Sequence, residues 1–375
     1  DSPTRSRVLT KLAMESYFAD DIEEVVARHA EGLAMARRLD DPGALAVALG
    51  FFANFFPLKD AEEWAANARE AIVLGEQAHD AGAIQIARQA LMWNLVEMGE
   101  MQEFDAQLVA AEELASRVHI PLYAWYVPLW KSTRATMRGQ IVAGEAHALE
   151  ALTVGSGSDQ QNALQMFGVQ LFALRREQGR SIEMEDSIRG LIEQYPLAPA
   201  WRGGLALLLA ERGALDDARA ELDLFIHDGV DNFRRDGNWP IALGLVVDTW
   251  ELLGDHNAQL EIAYDVLAPF AHRFISVGWA ADAYGSVKRL LGVLAGLLER
   301  WDDAEAHFRA GFDDDRRTDG IRALVRGHVQ LANMYRRRGA SGDDALAAEV
   351  AREGLIAAEG TDLPVLVERL TKFVG

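Results

Sequence analysis

The chain contains no cysteine, which excludes disulfides, thiolate metal sites and cysteine nucleophiles together. Basic residues are scarce relative to acidic ones: 37 Lys and Arg stand against 58 Asp and Glu, a formal net charge of −21. Such a surface repels phosphate backbones and anionic bilayers, so neither direct nucleic-acid binding nor membrane binding is expected. Long apolar runs are missing as well. No stretch approaches the roughly 18 to 20 uninterrupted apolar residues of a membrane span. Asp1 to Lys11 holds no apolar signal core, and a cytoplasmic location is the expectation. Asp1 stands first in place of Met, which fits a piece of a longer protein.

Patterns that announce chemistry are also lacking. The histidines, at positions 29, 79, 119, 147, 227, 256, 272, 307 and 328, form no i, i+4 pair and no HExxH, so no metal site is expected. The run Asp313, Asp314, Asp315 lacks the glycine and terminal glutamate of a calcium loop and reads as a solvated helix end. A serine nucleophile would need G-x-S-x-G after a strand. The nearest stretch, VGSGSDQ, lies between predicted helices and reads as a linker at Gly155 to Ser158. Carboxylate pairs such as Glu183 and Glu185 recur throughout so acidic a chain, and none stands out as catalytic. No catalytic residue and no cofactor is therefore assigned. No strand alternation is evident, which argues for an all-α fold.

What the chain does have is a beat. Apolar runs of helical spacing end at Gly99, Gly139, Gly179, Gly213, Gly254, Glu299 and Gly339, each followed by a second amphipathic run. The differences between these positions are 40, 40, 34, 41, 45 and 40 residues, a helix-turn-helix repeat period. In LALLLAERGALDDARAELDLF, Leu205, Leu208 and Leu209 share a helix face and Gly213 ends the helix. Asp216 and Asp217 favour the next N-terminus, and Ala218 lets the two helices approach. LLERWDDAEAHFRAGF repeats the plan with Trp301 as a structural residue at the turn, but Glu299 replaces the glycine and predicts a less sharply made turn. Two earlier helical hairpins are expected at Val8 to Leu39 and Leu45 to His79, the second interrupted at Pro57. Turn residues in RLDDPGA, VHIPL, VGSGSDQQ and QYPLAPA mark connectors, and HDGVDNFRRDGNWP, His227 to Pro240, reads as the longest surface loop. The expected architecture is a right-handed superhelical solenoid of about eight helical hairpins. It forms one array over residues 1–375, with N-terminal hairpins at 1–82, central repeats at 83–298, and C-terminal repeats with a cap at 299–375.

Alignment on the markers separates two columns. Eight residues before each marker stand Leu91, Lys131, Leu171, Leu205, Val246, Leu291 and Leu331, an aliphatic seam. Offsets −16, −13, −9, −6 and −2 form one helix face, and this face varies. It carries Tyr123, Tyr126, Trp130, Thr133 and Met137 in one unit, Trp93 in the unit before, Gln170 in the unit after, and Arg326, Gln330 and Asn333 in the last. A variable face beside a constant seam is what the ligand-facing wall of a solenoid shows, although tryptophan and tyrosine also serve as ordinary packing between helices. Trp201 and Trp239 follow turns and are read as helix caps or groove rim.

The stretches PLYAWYVPLW, NALQMFGVQLFALRREQGR, YPLAPAWRGGLALLLAERG, DGNWPIALGLV and GSVKRLLGVLAGLLERWDDAEAHF lie between Pro121 and Phe308. They resemble the tetratricopeptide-like helical region C-terminal to the ATPase module of bacterial LuxR-type transcriptional regulators and ATPase-linked adenylate/guanylate cyclases. The resemblance implies a signal-sensing or scaffold region. The chain has no Gly-x4-Gly-Lys-Ser/Thr loop, cyclase motif or basic helix-turn-helix tail, so ATPase or effector functions would lie in other segments. The expectation is a non-enzymatic module binding a small molecule or a protein segment on its concave face through Trp93, Tyr123, Tyr126, Trp130, Gln170, Trp201, Trp239, Arg326 and Gln330. Two alternatives stand beside it. One is a cofactor-free enzyme that shapes an apolar substrate in the aromatic groove. The other is an assembly scaffold or homodimer using the apolar C-terminal run LPVLVERLTKFVG.

Overall fold

Every marker position is a turn of the same hand. Gly99, Gly139, Gly179, Gly213, Gly254 and Gly339 have φ between 64° and 85°, and Glu299 reaches 60°. At Gly99 the amides of Gly99 and Glu100 return to the carbonyls of Val96 (3.0 Å) and Leu95 (2.9 Å). This double closure satisfies the last carbonyls of a helix and requires a left-handed residue. The Glu299 turn closes in the same way, with Arg300 donating to Ala295 at 2.8 Å and Glu299 to Gly296 at 3.3 Å. The expected weaker turn is thus corrected: Glu299 takes the same left-handed conformation, at a cost to a side-chain-bearing residue of about 1–2 kcal/mol.

The protein is described here by a computed structural model covering residues 1–16, 22–50, 58–118, 120–158, 160–194, 200–254 and 256–375. Pro57, His119, Asp159 and most of the QYPLAPA connector lie outside these residues. The helices run α1 (Pro3–Glu15), α2 (Ile22–Leu39), α3 (Pro42–Gly50), α4 (Ala61–Gln77), α5 (Ala81–Met98), α6 (Met101–Val118), α7 (Pro121–Ala124), α8 (Tyr126–Met137), α9 (Ile141–Gly155) and α10 (Gln160–Glu177). They continue as α11 (Glu185–Gln194), α12 (Ala200–Glu211), α13 (Leu215–Phe225), α14 (Trp239–Leu253), α15 (Gln259–Leu267), α16 (Val287–Leu297), α17 (Trp301–Arg317), α18 (Ile321–Arg338), α19 (Asp343–Ala357) and α20 (Pro364–Val374). At five of the marker turns the joined helices pack on each other: α5 on α6, α8 on α9, α12 on α13, α16 on α17 and α18 on α19. The seam residues Leu91, Leu205, Val246, Leu291 and Leu331 are buried. Among the described residues no helix is long and apolar enough to cross a membrane.

One element corrects the expectation of helices alone. Strands β1 (Phe274–Val277) and β2 (Asp282–Ser286) form an antiparallel hairpin between α15 and α16, with a register irregularity at Ile275/Ser276. Both strands are buried on both faces, so they never show the in-out alternation that identifies a half-exposed strand. Gly278, Trp279 and Ala280 turn the hairpin with φ of 47°, 54° and 59°.

The β-hairpin sits inside the array and joins its two largest cores. Ile275, Val277 and Tyr284 pack with α14, α16 and α18, whereas Ala280, Ala281 and Ala283 pack with α5 and α8. The array also returns upon itself. Arg317 donates to the Gly99 carbonyl at 3.2 Å, across 218 positions of sequence. Arg134 donates to the Thr318 carbonyl at 3.2 Å, Arg138 pairs with Asp319 at 2.6 Å, and the Asp362 amide meets the Gly139 carbonyl at 2.7 Å. Later turns therefore sit on earlier ones. Helix α20, the apolar C-terminal run, packs on α18, α19 and α10.

Candidate functional site

A cavity of about 870 Å³ lies between the first helices of successive pairs and the β-hairpin. That volume is within the roughly 300–1,000 Å³ of small-molecule sites. Its wall follows the variable helix face: the residues at offset −13 from five successive markers, Ile86, Tyr126, Met166, Ala200 and Ile241, all line it. Trp93 and Ala90 of α5, Tyr123 of α7, Val169 and Phe172 of α10, Trp201 and Gly204 of α12 and Leu245 of α14 extend it. The β-hairpin closes the opposite side with Val277, Gly278, Trp279, Asp282 and Tyr284, and Lys11, Met14 and Glu15 of α1 contribute at one edge. Aromatic rings and aliphatic groups dominate this surface, with the amides of Gln85, Gln89 and Gln165 set among them.

Of the sequence-nominated residues, Trp93, Tyr123, Tyr126 and Trp201 are on the wall. The Trp93 ring is held by its indole N–H, which donates to Glu97 at 2.8 Å. Burial pushes the Glu97 carboxyl up to about 8, although it accepts bonds from this indole and from the Leu58 amide. Tyr126 faces Trp279 with ring centroids 6.0 Å apart. Tyr123 is half-buried, and burial raises its hydroxyl above the ordinary tyrosine range.

Trp130 and Gln170 belong to the same helix face but lie behind the wall, because the β-hairpin covers them. Trp130 is fully buried and donates to the Trp279 carbonyl at 3.0 Å. Gln170 donates to the carbonyls of Leu129 (2.8 Å) and Ala281 (3.0 Å), and the Thr133 hydroxyl lies 2.7 and 2.8 Å from the carbonyls of Ala280 and Ala281. These side chains recognise the turn's backbone as a groove would recognise a peptide. Trp239 is buried as the first residue of α14, with Phe270 beside it at 5.7 Å and the Arg235 guanidinium over its ring at 4.5 Å. It packs in the core and is not on the cavity wall.

Arg326 and Gln330 enter a buried ionic network. Arg326 pairs with Glu177, whose neighbour Arg176 pairs with Glu211 at 2.8 Å. Gln330 donates to Glu251 at 2.6 Å and to Asp248 at 3.1 Å, and Arg289 pairs with Asp248 at 2.7 Å. Burial alone would raise the Asp248 carboxyl, but Arg289 outweighs it and holds the group down at about 2. The Tyr284 hydroxyl donates to Asp248, and burial together with that carboxylate pushes its titration up. Tyr284 and Arg176 therefore meet the cavity with their polar ends already engaged. Asp315, read from sequence as part of a solvated helix end, is buried instead. Burial pushes its carboxyl up to about 7, while Asp313 remains exposed.

The wall thus offers stacking surfaces, amides and paired charges, a set suited to holding a molecule. Among the described residues no group of three or more His, Asp or Glu is arranged to hold a metal ion. Sequence reasoning missed Trp279, Phe172, Met166 and Gln85. The available signal for Trp279 was the 45-residue interval before Glu299, the longest in the series, which contains the inserted β-hairpin. The chain matches no protein-family model and no curated protein.

Proposed function

We propose that the chain is a right-handed superhelical array of tetratricopeptide type that acts as a non-enzymatic sensor, holding a small molecule between its inner helix wall and the β-hairpin. The carrying observation is the cavity itself, which has the size of a ligand site and a wall built by the inner helices and the β-hairpin together, with aromatic rings on both. A small molecule is favoured over a protein segment because the chain's own residues 274–286 already occupy the groove, with their turn carbonyls taken by Trp130, Thr133 and Gln170. An occupant would touch α1, α5, α10, α12, α14 and the β-hairpin at once. Its binding energy would favour the packed state of helices far apart in sequence and could bias their contact with an effector or ATPase segment outside this chain. A role in a bacterial signalling or transcription-regulatory protein, in the cytoplasm, accords with the family resemblance of Pro121 to Phe308.

The test is a thermal-shift screen with uncharged aromatic, anionic aromatic, cationic aromatic and oligosaccharide compounds, run on the native chain and on Gly204→Leu. A Cβ at Gly204 would stand 3.6 Å from the Phe172 ring, an ordinary contact, so a larger side chain can enter the cavity without displacing backbone. Compounds that bind the native chain should raise its Tm, by the equivalent of about 2.7 kcal/mol at a hundredfold excess over Kd. Gly204→Leu should keep its helical circular dichroism and lose the shift. Equal shifts in both proteins, or none from any compound class, would overturn the reading.

A further inference from the structure

Resting on that reading, the wall also restricts what the occupant can be. We propose that the cavity takes an uncharged, planar, ring-bearing molecule.

Charge is argued from the wall itself. Among the described residues the ionic side chains that line the cavity are Lys11, Glu15, Arg176 and Asp282. Arg176 pairs with Glu211 at 2.8 Å and Asp282 with Arg322 at 2.7 Å, both buried, whereas Lys11 and Glu15 pair with each other at 3.2 Å in solvent at the edge. A charged ligand would give up its hydration and find no spare buried counter-charge among the described residues, which is costly in a largely apolar site. The chain's net charge of −21 adds a general repulsion of anions.

Shape follows from the rings. Trp93, Tyr123, Tyr126, Phe172, Trp201 and Trp279 come from six separate elements and converge on one space. Offset stacking and edge contacts with flat rings make use of such a wall, and its apolar character favours a ring system over a hydroxyl-rich saccharide.

The experiment is a fluorescence titration with prodan, which is neutral, planar and carries a carbonyl. Anilinonaphthalene sulfonate serves as the anionic probe, N-methylacridinium as the cationic one and cellotetraose, followed by tryptophan fluorescence, as the saccharide. Prodan should bind the native chain with a blue-shifted emission and fail to bind Gly204→Leu, and it should bind more tightly than either charged probe or the saccharide. Stronger binding of the anion, the cation or the saccharide at the Gly204-sensitive site would overturn this inference and leave the sensor reading standing. Failure of all four probes to bind in a Gly204-sensitive way would overturn both.

Discussion

A carboxyl withdrawn from water must stay protonated or find a cation, and Glu97 and Asp248 take these two courses. Asp248 lies against Arg289 and is held down at about 2, while Glu97, which among the described residues accepts from two N–H donors, is pushed up by burial to about 8. A raised carboxyl keeps a proton in the folded chain that the unfolded chain has already released, so its contribution to stability declines as pH rises from its unfolded value through its folded one. Glu97 does this up to about 8 and Asp315 up to about 7. His328, lowered to about 4 by burial, and the likewise lowered His29 and His307 act in the opposite direction, but only below the ordinary histidine range. Above about pH 6.5 the carboxyls therefore prevail. The free energy of unfolding should fall by about 1–2 kcal/mol between roughly pH 6.5 and 8.5, and Glu97→Gln should remove most of that fall. Denaturant titrations at the two pH values check this, and a flat profile in the native chain would contradict it. At this scale the sequence was partly legible. Trp93, Tyr123, Tyr126 and Trp201 could be picked out by face and position, whereas the ionisation of Glu97 and the pairing of Arg326 with Glu177 depend on burial and on neighbours distant in the chain.

Among the elements, the helices and the β-hairpin differ in how plainly they are written. A helix that buries one face repeats its apolar residues every three or four positions, and a left-handed glycine marks its end. The strands FISV and DAYGS are buried on both sides and short, so their residues carry no comparable period. What holds the β-hairpin in place is a set of side chains on other elements, Trp130, Thr133 and Gln170, each reaching its turn carbonyls. Thr133→Val should leave those buried carbonyls with one donor fewer and cost about 1–3 kcal/mol. Hydrogen exchange should accelerate over residues 274–286 before it does in α16 or α18. Uniform acceleration along the chain would show instead that Thr133 supports its own helix.

For the whole molecule, the marker glycines have two different jobs. All of them end helices, but an added Cβ at Gly213 or Gly254 would meet nothing within 4 Å, whereas at Gly99 it would lie 2.5 Å from the Phe274 ring. At Gly139 it would lie 3.0 Å from Thr361. Gly99 and Gly139 therefore also let a later part of the array settle on an earlier one. Gly213→Ala should cost only the left-handed strain, about 1–2 kcal/mol. Gly99→Ala should cost that amount plus about 1–3 kcal/mol of overpacking. Equal losses by chemical unfolding would mean that the contact with Phe274 contributes little to closure.

The sequence by itself determined the helix pairs, their turns and the variable inner face, because helical period, glycine position and acidic N-terminal turns are local properties of the chain. It could not determine what that face would meet. Whether Tyr126 borders a cavity while Trp130, one turn along the same face, is sealed beneath a carbonyl depends on where residues 274–286 come to lie. That placement arises only when the array closes and brings segments some 150 positions apart together, here Trp130 and Trp279 at a separation of 149. Tertiary packing then divides one continuous stripe into cavity wall, β-hairpin support and buried ionic network.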